Sequence, residues 1–127
     1  MSLRDALLGA WELESFTTTR ETSGHVEHPL GPAPQGLIIY TPDGHMSAQL
    51  ADSGMSGYIA YGGRFEVDEQ TSTLHHQVTI SMMPELLAQR QFRHARIEAD
   101  ALVLSATSTD DDGPSHSVLV WRRAAKD

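Results

Sequence analysis

The clearest pattern along the chain is an alternation of apolar and polar positions with a period of two. In LHHQVTISM, Leu74, His76, Val78, Ile80 and Met82 fall on one phase, and His75, Gln77, Thr79 and Ser81 on the other. Successive side chains of a strand point to opposite faces of the sheet, so the two adjacent histidines face opposite ways. The first phase is apolar apart from His76, which puts His76 on the core side and His75 outside. AWELESFTTTR alternates too, with Trp11, Leu13 and Ser15 against Glu12, Glu14 and Phe16. LIIYT and HMSAQL flank Pro42-Asp43-Gly44, a preset φ followed by a permissive glycine, so Leu37 to Leu50 reads as a hairpin. YIAYGGRFEVD is a further strand, and Gly62 and Gly63 in its middle predict a bulge or sharp bend. RQFRHARIEA, DALVLSATS and HSVLVWRR follow, the last two separated by the acidic turn TDDDGPS.

Helix signals are few. LRDALLG predicts one or two turns, with Leu3, Leu7 and Leu8 as an apolar stripe and Gly9 as the stop. MMPELLAQ holds a second candidate turn, with Pro84 placed at its start. GHVEHPLGPAPQG and ADSGMSG read as loops. About eight short strands with turns at near-regular spacing predict an all-β fold, either a sandwich or an up-and-down barrel. The consecutive hairpins favour the barrel. Residues 1–127 are expected to form one domain, as the chain length suggests.

Composition narrows the function classes. With no cysteine, the chain has no disulfide, thiolate metal site or cysteine nucleophile, which suits a reducing cytoplasm. Seventeen acidic against nine basic residues give a net charge of −8, with no basic stripe, and this argues against nucleic-acid binding. MSLRDALLGAW carries Asp5 and no long apolar run, so it does not read as a signal peptide. No stretch is long and apolar enough to predict a membrane span. The expectation is a soluble, cytoplasmic, acidic domain.

His76 is the leading candidate for chemistry. An inward histidine either fills the core with one hydrogen bond satisfied or lines a ligand cavity, where imidazole can act as acid, base or anchor. Tyr40, Tyr58 and Tyr61 carry phenols. Tyr58 and Tyr61 are three apart in one strand, so one of the two reaches the interior. In RQFRHARIEA the facing stays open. If Ile97 marks the inside, Gln91 and Arg93 line the cavity; if Phe92 does, His94 and Arg96 do. An inward arginine suggests a carboxylate or enolate ligand, because a buried cation needs a partner. Trp11 and Trp121 are expected to close the core, with stacking on an aromatic ligand as a secondary role for either. His25 and His28 in HVEH make a poor zinc pair, and HExxH, G-x-S-x-G, phosphate-loop and dinucleotide motifs are absent. A haem barrel would need one inward histidine with an open face, the position of His76.

Several stretches together carry a resemblance: LLGAWELESF, PQGLIIYTPDGHMSAQL, GYIAYGGRFEVDEQTSTLHHQV and the closing LVLSA and HSVLVWRR. In order and over nearly the whole chain they resemble the bacterial and fungal lipocalin-like domain family. That family is marked by a G-x-W start, an LIYTPDGxMS hairpin and a GYIAY strand. Gly9 and Trp11 match the opening; Tyr40, Thr41, Pro42, Asp43, Gly44, Met46 and Ser47 match the hairpin. Gly57 to Tyr61 match the strand, and His76, Ser81 and Pro84 stand where the family pattern has these residues. Two departures stand out. Gln77-Val78-Thr79 replaces a V-E that often follows the family histidine, and only ADSGMS precedes GYIAY where a longer insert is common.

The resemblance implies a single antiparallel lipocalin-like β-barrel with a short N-terminal helix, Trp11 as a plug beneath it, and a small apolar ligand within. Some members of the family sit among enzymes of secondary metabolism, where related barrels act as cyclases or isomerases. The expected function is therefore binding of a small, largely apolar, aromatic or polyketide-like molecule. Two readings stand beside each other. One is a cofactor-free cyclase, isomerase or lyase with His76 as acid–base group; the other is a carrier or sensor, or a filled barrel acting through its surface. Tyr40, Ser47, Tyr58, Tyr61, Arg93 and Trp121 are the expected ligand-binding residues, with no metal and no cofactor. A homodimer is a further expectation.

Overall fold

The computed structural model describes residues 2–84, 87 and 90–125, the side chains of Arg90, Gln91 and Asp110 excepted. A short helix, α1 (Leu3–Leu7), leads into β1 (Gly9–Arg20) and the two-residue β2 (Val26–Glu27). Then come β3 (Gln35–Tyr40), β4 (His45–Ala51), β5 (Tyr58–Asp68) and β6 (Thr73–Ser81). β7 (Arg90–Glu98), β8 (Ala101–Asp110) and β9 (Gly113–Arg123) complete the described elements. All pairings are antiparallel, and from β3 to β9 each strand pairs with the next. β1 pairs with β3 on one side and with β9 on the other, from Trp11↔Arg123 to Arg20↔Ser115. That last pairing closes eight strands into a barrel. β2 lies outside the circle, paired to β1 through Thr18↔Glu27 and Thr19↔Val26. The proline-rich segment expected to be loop throughout therefore contains a strand.

Two bulges decide which residues face inward. On β5 and β6 the pairing steps from Gly63↔Val78 to Gly62↔Ile80, so Thr79 is the extra residue. Only glycine fits at the step, because a Cβ on Gly63 would lie 2.0 Å from the Gln77 carbonyl oxygen and 2.9 Å from the Thr79 nitrogen. Beyond the bulge the phase of β6 reverses. Unbroken alternation would put Ile80 and Met82 in the core, but they are 72% and 58% exposed. On β1 the pairing with β9 steps from Leu13↔Trp121 to Ser15↔Val120, leaving Glu14 extra. This turns Phe16 inward, opposite to the face that simple alternation gives it.

The helix seals one end. Five residues are too few to be helical alone, so partners from elsewhere hold both ends. Ser2 caps the start by accepting from the Asp5 N–H at 3.0 Å, and the Glu69 carboxylate accepts from the Leu3 and Arg4 N–H groups at 2.8 and 3.1 Å. At the other end the Arg123 guanidinium donates to the Ala6 and Leu8 carbonyls, both at 2.8 Å. The same group lies 3.7 Å from the centroid of the Trp11 ring, a cation–π contact. Trp11 donates its indole N–H to the Leu7 carbonyl at 2.9 Å, so helix, β1 and β9 are tied together beneath the barrel. Leu7, Trp11, Ile38, Leu74, Leu102 and Trp121 are fully buried.

The Leu37–Leu50 hairpin forms as β3 and β4, turning at Gly44 with φ of 91°. Of the second expected helical turn, residues 85, 86, 88 and 89 lie outside those described. Among the described residues, no helix is long and apolar enough to cross a membrane.

Candidate functional site

Inward phases of four strands, β3, β5, β6 and β7, bring together polar groups of the interior. Tyr40 comes from the end of β3 nearest the helix, and its ring packs edge-on against Phe65, with centroids 4.9 Å apart. Tyr61 lies on β5, just past the glycine bulge. His76 on β6 stands between them and is 1% exposed. Its Nε2 lies 2.8 Å from the Tyr40 hydroxyl and its Nδ1 lies 3.4 Å from the Tyr61 hydroxyl. Arg93 on β7 shares its phase with Ala95, which is buried, and with the half-buried Ile97, and it reaches the same cavity. Arg96 faces the other way, exposed and ion-paired to Glu98 at 2.8 Å. This settles the facing that periodicity left open on that strand, although the Gln91 side chain lies outside those described.

Donor counting fixes the direction of the hydrogen bonds. The Tyr40 hydroxyl is buried, and His76 Nε2 is its partner. A buried O–H with no acceptor costs about 1–3 kcal/mol, so Tyr40 donates and Nε2 accepts. A neutral imidazole with an accepting Nε2 carries its proton on Nδ1. Nδ1–H then points to the Tyr61 oxygen and leaves the Tyr61 O–H free to donate elsewhere.

Electrostatics agree with a neutral ring. Burial lowers the His76 pKa to about 3, and the Arg93 guanidinium and His75 act in the same direction. Burial also raises the Tyr40 pKa well above its ordinary value, with the neighbouring Tyr61 adding to the rise and Arg93 opposing it. The Tyr61 pKa is raised by burial against the pull of Arg93. At neutral pH the three groups are therefore an uncharged hydrogen-bonded chain beside a fixed cation.

Above this chain lies a cavity of about 180 Å³. Among the described residues, Phe16, Leu50, Ile59, Leu104, Leu119 and Met83 supply its apolar wall, and Tyr61, His76, Arg93 and Trp121 also line it. Trp121 is 1% exposed, and its Nε1–H has no hydrogen-bond partner among the described residues. Of the residues expected to bind ligand, Tyr61, Arg93 and Trp121 line the cavity directly. Tyr40 stands behind His76. Ser47 and Tyr58 do not join them: Ser47 falls on the outward phase of β4, and exposed Tyr58 donates its hydroxyl to the Gln49 side chain on the outer face. The two candidate positions fail to converge because Ser47 alternates with the buried Met46 and Ala48, and Tyr58 is three residues from the inward Tyr61. Phe16 and the aliphatic wall were not among the expected site residues. For Phe16 the β1 bulge hides the signal, and the aliphatic residues look like any other core positions.

A wider groove of about 480 Å³ runs over the outer surface beside Glu12, Gly36, Leu37 and Tyr58. It shares Leu50 with the interior cavity, and among the described residues its lining includes none of the buried titratable groups. His75 faces away from the cavity and stacks on Phe92, with centroids 4.6 Å apart. For a metal ion or haem, His76 is poorly suited, because tyrosine hydroxyls face both ring nitrogens. Among the described residues no three acidic or histidine side chains cluster as ligands.

A family model described as a lipocalin-like domain matches the chain in two segments, residues 8–56 and 52–124, which span every strand of the barrel. No curated protein matches it.

Proposed function

The chain belongs to the lipocalin-like domain family, and from that premise we propose that it binds a small, largely apolar molecule inside the barrel. The observation that carries this reading is the apolar cavity above the Tyr40–His76–Tyr61 chain. A closed barrel of eight strands is just wide enough either to fill with side chains or to hold one small ligand. A cavity of about 150 Å³ lined by aliphatic and aromatic groups accepts benzene, so about 180 Å³ suits a single ring with a substituent. A polyketide-sized ligand would project through the mouth.

A carrier or sensor fits the electrostatics better than catalysis by His76 as a base. A group that stays neutral down to about pH 3 is a weak proton acceptor at neutral pH, far from the matched pKa that general-base catalysis favours. The catalytic reading retains one specific support. The Tyr40–His76–Tyr61 chain can polarise a carbonyl and stabilise an enolate-like oxyanion, which would serve a cofactor-free isomerisation, cyclisation or dehydration.

Native mass spectrometry of gently purified protein tests the binding reading, with released compounds identified and Leu119→Trp as the filled-cavity control. A small organic ligand held by the wild type and lost from the folded variant is the expected result. If a panel of single-ring aromatics shows no binding by calorimetry and nothing co-purifies, the reading fails. With a ligand in hand, His76→Ala separates the two roles: a carrier changes affinity alone, whereas a catalyst loses turnover while still binding.

A further inference from the structure

The bulge on β6 puts two large apolar side chains where the core cannot use them. Past Thr79 the phase reverses, and Ile80 and Met82 stand outside, 72% and 58% exposed. Bulges re-aim side chains, and these two belong to the outer face of β3 to β6. Register lays that face out in two rows. Ile39, Ser47, Gly62 and Ile80 pair in succession across the four strands. In the next row Leu37 pairs with Gln49 and Gln49 with Ala60, whose carbonyl accepts the Met82 N–H at 3.1 Å. None of these residues carries a charge. The middle of the face is low: Ser47, Ala60 and Gly62 floor a hollow of about 240 Å³ lined at its edge by Ile80 and Met82. Tyr58, hydrogen-bonded to Gln49, and Met55 continue the face along the groove beside Leu37.

We propose that this face joins two copies of the chain about a two-fold axis, with Ile80 and Met82 of each copy seated in the hollow of the other. Area is the first support. Leu37, Ile39, Met55, Tyr58, Ile80 and Met82 are each between 37% and 72% exposed. At about 200 Å² for a large residue in full view, they present on the order of 600 Å², before Ser47 and Gln49 between them are counted. A standard interface takes about 800 Å² from each partner, and a contiguous apolar patch of this extent marks an interaction surface. Charge is the second. The chain carries −8, so two copies repel through most of their surface, and an uncharged face is where they can approach. Shape is the third, because knob and hollow lie side by side on one surface. A two-fold axis along the strands brings each knob over the other copy's hollow, so both are filled at once. An unrelated partner would have to supply both shapes, whereas a second copy supplies them by symmetry.

Sedimentation velocity of the full chain over a concentration series is the test. The wild type should sediment as a dimer that dissociates on dilution. Ile80→Lys should weaken the dimer at least about a hundredfold, because it seats an unpaired ammonium in the hollow. Ser47→Asp should do the same from the other side of the contact. Both residues are exposed, so far-UV circular dichroism should be unchanged, and Met82→Lys replaces Ile80→Lys if that variant folds poorly. Val26→Lys, on β2 and 49% exposed, should leave the dimer intact. Mixing the Ile80→Lys and Ser47→Asp chains should restore a dimer, since the introduced ammonium then meets the introduced carboxylate and the second contact is native. A wild type that stays monomeric at about 1 mM overturns the proposal. So does a dimer that neither Ile80→Lys nor Ser47→Asp weakens, which would place the contact on another face. A mixture of the two variants that stays monomeric overturns it as well.

Discussion

Replacing His76 by phenylalanine makes stability at neutral pH and stability in acid move in opposite directions. In the unfolded chain this imidazole titrates near its ordinary value of about 6.5. In the folded protein burial, helped by Arg93 and His75, holds it neutral down to about pH 3. Between those values the unfolded state binds the extra proton and the native state does not. The contribution of His76 is thus fully present above pH 6.5 and is lost as pH falls towards 3. At 1.36 kcal/mol per pKa unit, going from pH 7 to pH 4 removes about 3 kcal/mol through this one group. That is a large part of the roughly 5–15 kcal/mol that holds a domain together. His76→Phe removes the titration and also strips Tyr40 and Tyr61 of their partner, at a cost of about 1–3 kcal/mol at pH 7. The wild type should therefore be the more stable protein at pH 7 and the less stable one at pH 4. The two curves should cross between about pH 4 and 6. Urea denaturation at a series of pH values measures this directly, and subtracting one curve from the other cancels the remaining titrating groups. Parallel curves over that range would refute a buried, neutral His76.

Other substitutions test the packing around the site. Gly63→Ala forces a Cβ against the Gln77 carbonyl oxygen at 2.0 Å, so a loss of about 3 kcal/mol or more, or failure to fold, is expected in urea denaturation. An unchanged midpoint would remove the bulge argument. Tyr40→Phe leaves Nε2 of His76 without its donor and should destabilise by about 1–3 kcal/mol at pH 7, read by the same method. Arg123→Ala loses two carbonyl contacts and the Trp11 ring contact, for about 2 kcal/mol, and thermal melting should register it. Arg122→Ala, next in the chain but exposed and ion-paired to Glu14 and Asp100, should shift the melting temperature far less. Equal shifts for the two arginines would mean that the helix cap does not hold the barrel end.

Local sequence determined the all-β architecture, the Pro42-Asp43-Gly44 hairpin, the bulge at Gly62 and Gly63, and the inward facing of His76. Each depends on a short-range rule: a period of two, a preset φ, or a residue small enough for close backbone approach. Tertiary structure decided the rest. Alternation cannot show which residue a bulge leaves out, so Ile80 and Met82 turned out to be exposed and Phe16 turned inward. The meeting of Tyr40, Tyr61 and His76 depends on strand register set by the turns and by closure of β1 onto β9. A shift of one residue would point any of them the other way. The same register put Arg93 inside and left Ser47 and Tyr58 outside. The site is legible as residue types in the sequence, but its geometry exists only once the barrel closes.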